Sequence, residues 1–483
     1  MDVEVMEDTN DEVLQNAIDE NVASNTMNEE AMQNNRLLVT NGKVLYLVVR
    51  QAFRGSQITF TPGNSSAVLV WCDTVKIEYF KQLFPWQVIN RIPWAQTMCR
   101  KAPFVRLIQR VMSFYPELYN FLPISYILPY DKIQFYHELR KQEKTFIYKP
   151  DKGSLGHGIR LITPGSEFHY HGRLAICQEY VESFTIDQKK FDLRIYALIC
   201  SLSPLSIYIF RGGVARFCTE TADGETKYSI LTNTAVNSKN PNMIPDKMTR
   251  MIDDVFQQLA NEGHDVDKIW EEIDQTIVLS IISAYGFLKK EEGVQCPNYG
   301  MSRCFQIIGC DILLDKYLHP YILEINYRPS MKCNTKNSHD MKLEMLKHAL
   351  KIAAPFQPLQ NLLDNTEYPK DPEGYIQFMK QNKNVIDEIE ALRAQNEKGN
   401  RFEKVYPNPN KPIWDHVLKT VMHMPTETAL NTGIPLSIEV PTAINNVYNF
   451  PQNLLDMKAI SKMRAQMKNE SVNSNKSTND NSF

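Results

Sequence analysis

The chain has 483 residues, 43% hydrophobic and 23% charged: too long for one compact core, and ordinary in composition for a globular protein. It has no apolar run of the roughly 18 residues that a membrane span needs, and its acidic start, MDVEVMEDTN, lacks the basic-then-apolar order of a signal peptide. The nine scattered cysteines, without a CxxC pair, argue for reduced thiols in a cytoplasmic setting and against a disulfide frame or zinc site. The net charge of −3 conceals an asymmetry: residues 1–35 carry ten Asp/Glu and no Lys/Arg, whereas residues 81–110 carry six Lys/Arg and no acid. Such a one-signed stripe can steer a partner of opposite charge, or it can be a solvated helix face.

Residues 1–38, acidic and Asn-rich, are expected to be disordered. Apolar runs predict strands at 43–49 and, after a Pro-Gly-Asn turn, at 67–71. The spacing predicts a helix over 99–113, then strands at 145–149, 174–181, 191–202 and 205–210. Helices are expected over 246–262 and 266–285, strands over 304–314 and 321–326, and a helix over 340–353. Beyond about residue 356 the composition turns polar, with helices expected at 376–396 and 452–468 and disorder over the last 15 residues.

Four constellations carry chemistry. In Tyr148-Lys149-Pro150-Asp151-Lys152-Gly153-Ser154-Leu155-Gly156-His157-Gly158-Ile159, a strand delivers a lysine to a glycine loop whose backbone could approach phosphate. The loop matches neither GxxxxGK[ST] nor GxGxxG, and alone it does not separate a phosphate site from an ordinary turn. Gln178-Glu179-Tyr180-Val181 ends a strand whose backbone could read an adenine ring. Alternation in Lys190-Phe191-Asp192-Leu193-Arg194-Ile195 puts Lys190, Asp192 and Arg194 on one face, with Arg216 expected toward the same cleft. Finally, a hairpin folded about residues 317–318 would set Asp311 opposite Glu324, their Cβ atoms about 5 Å apart, with Asn326 on the same face. Two carboxylates in apolar flanks repel each other, and a hard cation relieves that; oxygen-only ligands favour Mg²⁺.

The order of these pieces is similar to the ATP-grasp fold and, within it, most closely resembles tubulin tyrosine ligase-like enzymes. The resemblance runs through WCD (71–73), FPWQVINRIPWAQTMCRK (84–101), FLPISYILP (121–129), YKPDKGSLGHGI (148–159), KFDLRIYALI (190–199), PLSIYIFRGGVARF (204–217), LTN (231–233), GCDILLD (309–315) and LEINYRPSM (323–331), with GNRFEKVYP (399–407) beyond. It implies an α+β fold: two α+β lobes holding ATP, at 126–185 and 186–355. A small N-terminal α/β domain at 39–125 would precede them, and a mostly irregular or helical extension at 356–483 would follow.

By resemblance, Lys149 and Lys190 meet ATP phosphates or the adenine side, Gln178, Glu179, Tyr180 and Val181 bind adenine, and Ser154, Gly156, Gly158 and Ile159 cover the nucleotide. Asp192 lies near the ribose, Arg194 near the acceptor and phosphate, and Thr232 and Asn233 beside the nucleotide. Arg216 stabilises the transferring phosphoryl, and Asp311, Glu324 and Asn326 hold Mg²⁺. Arg91, Arg100 and Lys101 are the expected docking residues for an acidic acceptor tail. Two departures from the family pattern bear on substrate identity: Ile230 stands where His is usual, and Asp340 is followed by Glu344 where Asp-x-x-x-Lys is usual.

The implied activity is ATP-dependent addition of glutamate to tubulin C-terminal tails, by a monomer associated with the cytoskeleton, including cilia, with no nucleic-acid or membrane partner. Glycine or tyrosine ligation, or a microtubule-binding pseudoenzyme, are the alternatives; a pseudoenzyme should have lost part of the metal set. A protein kinase is excluded because the glycines follow the strand lysine and neither HRD nor DFG occurs.

Overall fold

The computed structural model describes residues 37–424, apart from 42–43, 45, 62–66, 153–155, 225, 244–247, 299, 368 and 370. The expected helix at 452–468 and the terminal disorder lie outside the described residues. The expected disorder over 1–38 ends too late, because Leu37 and Leu38 already belong to a strand.

Three sheets organise the described residues. The first is parallel, in the order β2-β1-β3-β4, from β1 (Leu37–Asn41), β2 (Ile58–Thr61), β3 (Leu69–Trp71) and β4 (Val88–Ile89). Parallel neighbours need a crossover, and helix α1 (Leu47–Arg54) supplies it between β1 and β2. That corrects the strand expected at 43–49: Val48, Val49, Ala52 and Phe53 form the buried stripe, and their i, i+4 spacing is helical.

Helix α2 (Lys101–Met112) leads to the second sheet. This is antiparallel, in the order β5-β8-β6-β7, from β5 (Ser125–Leu128), β6 (Phe146–Pro150), β7 (Arg160–Ile162) and β8 (Ala175–Glu179). A small aromatic core built on Phe135, Phe146, Tyr148 and Phe168 backs it.

The third sheet contains β9 (Thr185–Ile186), β10 (Lys189–Leu202), β11 (Leu205–Phe217), β12 (Thr249–Met251), β13 (Gln306–Leu314), β14 (Pro320–Asn326) and β15 (Phe402–Tyr406). Its path is β12-β11-β10-β13-β14, with β9 beside β10 and β15 beside β11. The helices that complete it are α3 (Ile252–Asn261), α4 (Val266–Gln295), α5 (Lys336–Ala353), α6 (Lys383–Asn396) and α7 (Pro412–His423). Alternation along β10 sends Leu193, Ile195 and Ala197 into the core shared with α4, and Leu198 and Cys200 into the core shared with α5. The sheet is thus covered on both faces, which explains its near-continuous apolar strands.

Several boundaries differ from expectation. The helix expected from 246 starts at Ile252, because Thr249–Met251 pairs with β11. The helix expected at 376–396 is two helices, Pro372–Gln381 and α6, divided at Asn382. Helix α4 runs ten residues past the expected end at 285. Among the described residues no helix is long and apolar enough to cross a membrane.

Candidate active site

A cavity of about 860 Å³ opens between the second and third sheets. Its walls come from β6 and β8 on one side, β10, β11, β13 and β14 on the other, the segment 230–238, and one face of α5.

The hairpin β13–β14 sets the acidic end. Leu314 pairs Pro320 and Ile312 pairs Ile322, so the turn is centred on residue 317. Continued without interruption, that register would put Leu323 opposite Asp311. A bulge between Asp311 and Ile312 takes up one extra residue, and Asp311 pairs Glu324 instead. Asn326 donates from Nδ2 to Glu324 Oε1 at 3.4 Å, and all three side chains line the cavity.

Asp311 is held by two arginines. Arg194 donates from Nε to Oδ1 at 2.5 Å and from Nη2 to Oδ2 at 3.0 Å, and Arg216 Nη2 donates to Oδ2 at 2.7 Å. Arg216 also grips Asp192, from Nε at 2.7 Å and Nη2 at 2.5 Å, while Thr232 Oγ1 donates to Asp192 Oδ2 at 2.8 Å. Burial pushes the Asp311 carboxyl up, but the two guanidinia outweigh it and hold the group well below the usual carboxylate range. Glu324 goes the other way: desolvation and the neighbouring Asp311 carboxylate raise it, against Lys101, whose Nζ lies 3.8 Å away.

Lys149, on β6, is buried against the same space. Its Nζ donates to Gln178 Oε1 at 2.7 Å; Gln178 Nε2 donates to Ser125 Oγ at 2.9 Å; and Ser125 Oγ donates to Pro123 O at 2.5 Å. This chain of bonds across β5, β8 and β6 fixes which way the Gln178 amide points. Burial, with Lys101 and Lys190 nearby, lowers Lys149 to about 8, although Glu324 pulls upward. Lys190 lies over the Tyr180 ring, 4.3 Å from its centroid.

The glycine loop fits closely beside this. Gly156 (φ +75°) has the Val236 Cγ2 atom 2.7 Å from where a Cβ would sit, so the loop packs directly on the segment carrying Asn233. Gly158 (φ +74°) likewise has no room beside Pro150. Only glycine suits both the dihedral and the space.

Of the residues singled out from sequence, Lys101, Lys149, Gly156, Ile159, Gln178, Glu179, Tyr180, Val181, Lys190, Asp192, Arg194, Arg216, Thr232, Asn233, Asp311, Glu324 and Asn326 line the one cavity. Gly158 adjoins it, and Ser154 lies outside the described residues. Two expected docking residues do not present themselves to a tail. Arg91 is buried, with Nη1 on Asn90 O at 2.8 Å and Nη2 on Asp73 O at 3.0 Å. Arg100 is tied to Asp151 Oδ2 from Nε at 3.0 Å and Nη2 at 2.6 Å. Of the six cations in the stripe at 81–110, Arg91 is buried and Arg100 is tied to Asp151, Lys101 reaches the cavity, Arg106 and Arg110 are half-buried and Lys81 is exposed.

Sequence reasoning missed the partners of these groups. Asp151 receives the Ala102 N–H at 3.0 Å as well as Arg100, joining the phosphate-type loop to the first turn of α2. Lys342 also faces the cavity, one helical step from Ser338. The Asp340/Glu344 departure does not touch this space: two residues along a helix turn about 200°, and both side chains line a second cavity of about 1020 Å³. The i, i+4 pair Ser338/Lys342 was the available signal.

Residues 80–361 match the family model described as Tubulin-tyrosine ligase family. Tubulin polyglutamylase ttll6 of Danio rerio is 34% identical over 314 residues, 62% of this chain and 40% of its own length. Tubulin polyglutamylase TTLL6 of Mus musculus is 32% identical over 329 residues (65% and 40%), and TTLL7 of Homo sapiens 35% over 310 (60% and 35%). The chain spans about two fifths of the length of these curated relatives. With more than half of its residues inside the family model, the chain belongs to the tubulin-tyrosine ligase family.

Proposed function

We propose that this chain is an ATP-dependent ligase that joins glutamate to glutamate side chains on acidic tubulin tails. In this reading the second and third sheets belong to the two ATP-grasp lobes, at 126–185 and 186–355, and ATP lies between them. The observation that carries the reading is the convergence of Lys149, Lys190, Arg194 and Arg216 with Asp311, Glu324 and Asn326 on one cavity. The relatives, named as tubulin polyglutamylases, supply the choice of glutamate and tubulin.

The chemistry needs a carboxylate made electrophilic. The acceptor carboxylate takes the terminal phosphoryl of ATP and releases ADP; the incoming amine then attacks the acyl carbon, and phosphate leaves as the amide forms. Lys149 and Lys190 bind phosphate oxygens. Arg194 and Arg216 face the transferring phosphoryl from fixed positions, since Asp192 and Asp311 hold them in place before any ligand arrives. The adenine lies along Gln178–Val181, and Asp192, Thr232 and Asn233 border the ribose.

The donor set at the hairpin fits Mg²⁺: two carboxylates and one amide, all oxygen ligands, with Glu324 and Asn326 already in contact. Among the described residues no group of three or more His, Cys, Asp and Glu could hold a metal alone, so phosphate oxygens and water would complete the shell. Held by Asp311, Glu324 and Asn326, the ion would supply positive charge against the phosphates.

The test is to incubate the full chain with tubulin, ATP and one amino acid at a time, and read the intact masses of the tails. Glutamate-sized additions that require ATP are expected. Glycine- or tyrosine-sized additions would reassign the amino acid, and no ATP-dependent mass gain with any amino acid would overturn the reading.

A further inference from the structure

The segment between Glu324 and Asp340 contains no Asp or Glu and carries Arg328, Lys332 and Lys336. Burial alternates along it. Arg328, Ser330, Lys332, Asn334 and Lys336 are exposed, whereas Pro329 and Met331 are buried and Cys333 and Thr335 half-buried. The inward residues hold the segment down. Met331 belongs to the core behind α5, and Cys333 packs against it. From below, the buried Lys342 ammonium donates to the Lys332 carbonyl at 2.5 Å. Alternate residues are thus fixed and the three cations are exposed, Arg328 and Lys332 on the cavity and Lys336 just beyond it at the start of α5. Arg328, Ser330, Lys332 and Asn334 line the mouth of the active-site cavity, on the run leading out from Glu324 and Asn326. Of the two acids that flank the segment, Glu324 lies inside the same cavity, and Asp340 contacts His339 at 2.9 Å and lines the other cavity.

We propose that Arg328, Lys332 and Lys336 form a cationic rail that docks an acidic peptide and leads one of its carboxylates into the cavity. The proposal rests on the ligase reading above, and it moves the docking surface from the internally bonded Arg91 and Arg100 to the rim of the cleft. Charge complementarity names the partner: three outward cations, separated by small polar side chains that can hydrogen-bond a backbone, suit a flexible chain rich in carboxylates. A nucleic acid would find no stacking platform here. Tyr327, the aromatic residue beside the rail, is half-buried and has the Arg91 guanidinium 5.8 Å from its ring centroid.

The test measures binding, not turnover. A labelled glutamate-rich peptide is titrated with the full chain at low salt and followed by fluorescence anisotropy, for the parent and for the R328E/K332E/K336E variant. Peptide affinity should fall about tenfold or more as like charges meet, and the difference should shrink as salt rises. The charge-preserving K332R/K336R variant should bind like the parent. The melting curves of both variants should match the parent's, which separates lost docking from lost folding. Unchanged peptide affinity in the charge-reversed chain would overturn the rail. So would a variant that loses affinity for single-stranded DNA but keeps it for the peptide. Rail-dependent peptide binding without ligation of any amino acid would leave the rail standing and sink the ligase reading. Ligation by the parent with normal peptide binding by the variant would do the reverse.

Discussion

Lys149 is a cation in a place that disfavours charge. Burial lowers it to about 8, with Lys101 and Lys190 adding to the effect, while its bond to Gln178 favours the charged form. The charged ammonium that phosphate needs is therefore present below about pH 8 and is lost as pH rises through that value. ATP affinity, followed by calorimetry from pH 7 to pH 9.5, should weaken across that window. Gln178→Leu removes the acceptor and should move the midpoint to lower pH; an unmoved midpoint would disconnect the Ser125–Gln178 chain from Lys149. Arg216 poses the complementary problem, because it serves two carboxylates that are almost fully buried. Arg216→Ala leaves both under-compensated and should cost about 3–5 kcal/mol of stability in denaturant titration. Arg91, similarly enclosed, should behave as a packing residue: Arg91→Glu should lower the melting temperature, whereas a folded variant with selectively weak peptide binding would return it to the docking surface.

At the scale of elements, the hairpin shows how a sequence can give a correct pairing through an incorrect turn. Counting about residues 317–318 puts Asp311 opposite Glu324; the chain instead turns about 317 and recovers the pairing with a bulge. Apolar flanks and alternation were enough to find the strands and the acidic pair, since a one-residue slip would send every side chain to the other face. Glu324→Gln keeps the shape of this end and removes its charge, so the melting curve should be preserved and ligation lost; retained turnover would remove Glu324 from the mechanism.

Other elements were less legible. The run 43–49 reads as strand or helix until the position of Phe53 is known, because short apolar runs do not reveal their period. The β1 strand, LLVTN, directly follows an acidic tail, and its apolar run of three residues is too short to stand out from it. Arg303 could not be read at all as a structural bolt: fully buried, it donates to Gln87 O at 2.9 Å, Phe84 O at 2.7 Å and Pro297 O at 3.1 Å, three carbonyls scattered through the sequence. Replacing it with Ala should destabilise the chain by about 3 kcal/mol or more, since buried acceptors lose their donor.

At the scale of the whole molecule, the family match ends at residue 361 but the fold does not. Strand β15 extends the third sheet along β11, and Arg401 ties it down through Asp253 and Glu344 while also donating to the Arg211 carbonyl. Arg211 in turn grips Asp274 from Nη1 at 2.6 Å and Glu403 from Nε at 2.6 Å. A chain ending at residue 398 should melt several degrees lower, about 2–4 °C for each kcal/mol lost, and should bind more of an apolar dye; a coincident melting curve would make the segment dispensable.

The cleft therefore has unequal sides. The third sheet is buried between two large cores and clamped at its edge, whereas the second has a small core on one face and joins a large one on the other through only a few residues, Ile127 and Ile176 among them. Such a structure works as a shutter over a fixed bench, and the shutter should be the first part to loosen. The exposed run at 163–167, with Gly165 at φ +82° and open space around it, offers a protease its first cut. A nucleotide that touches both sides would fasten the shutter, and slower cleavage there in ATP would record the closing by the chain's own fragmentation pattern.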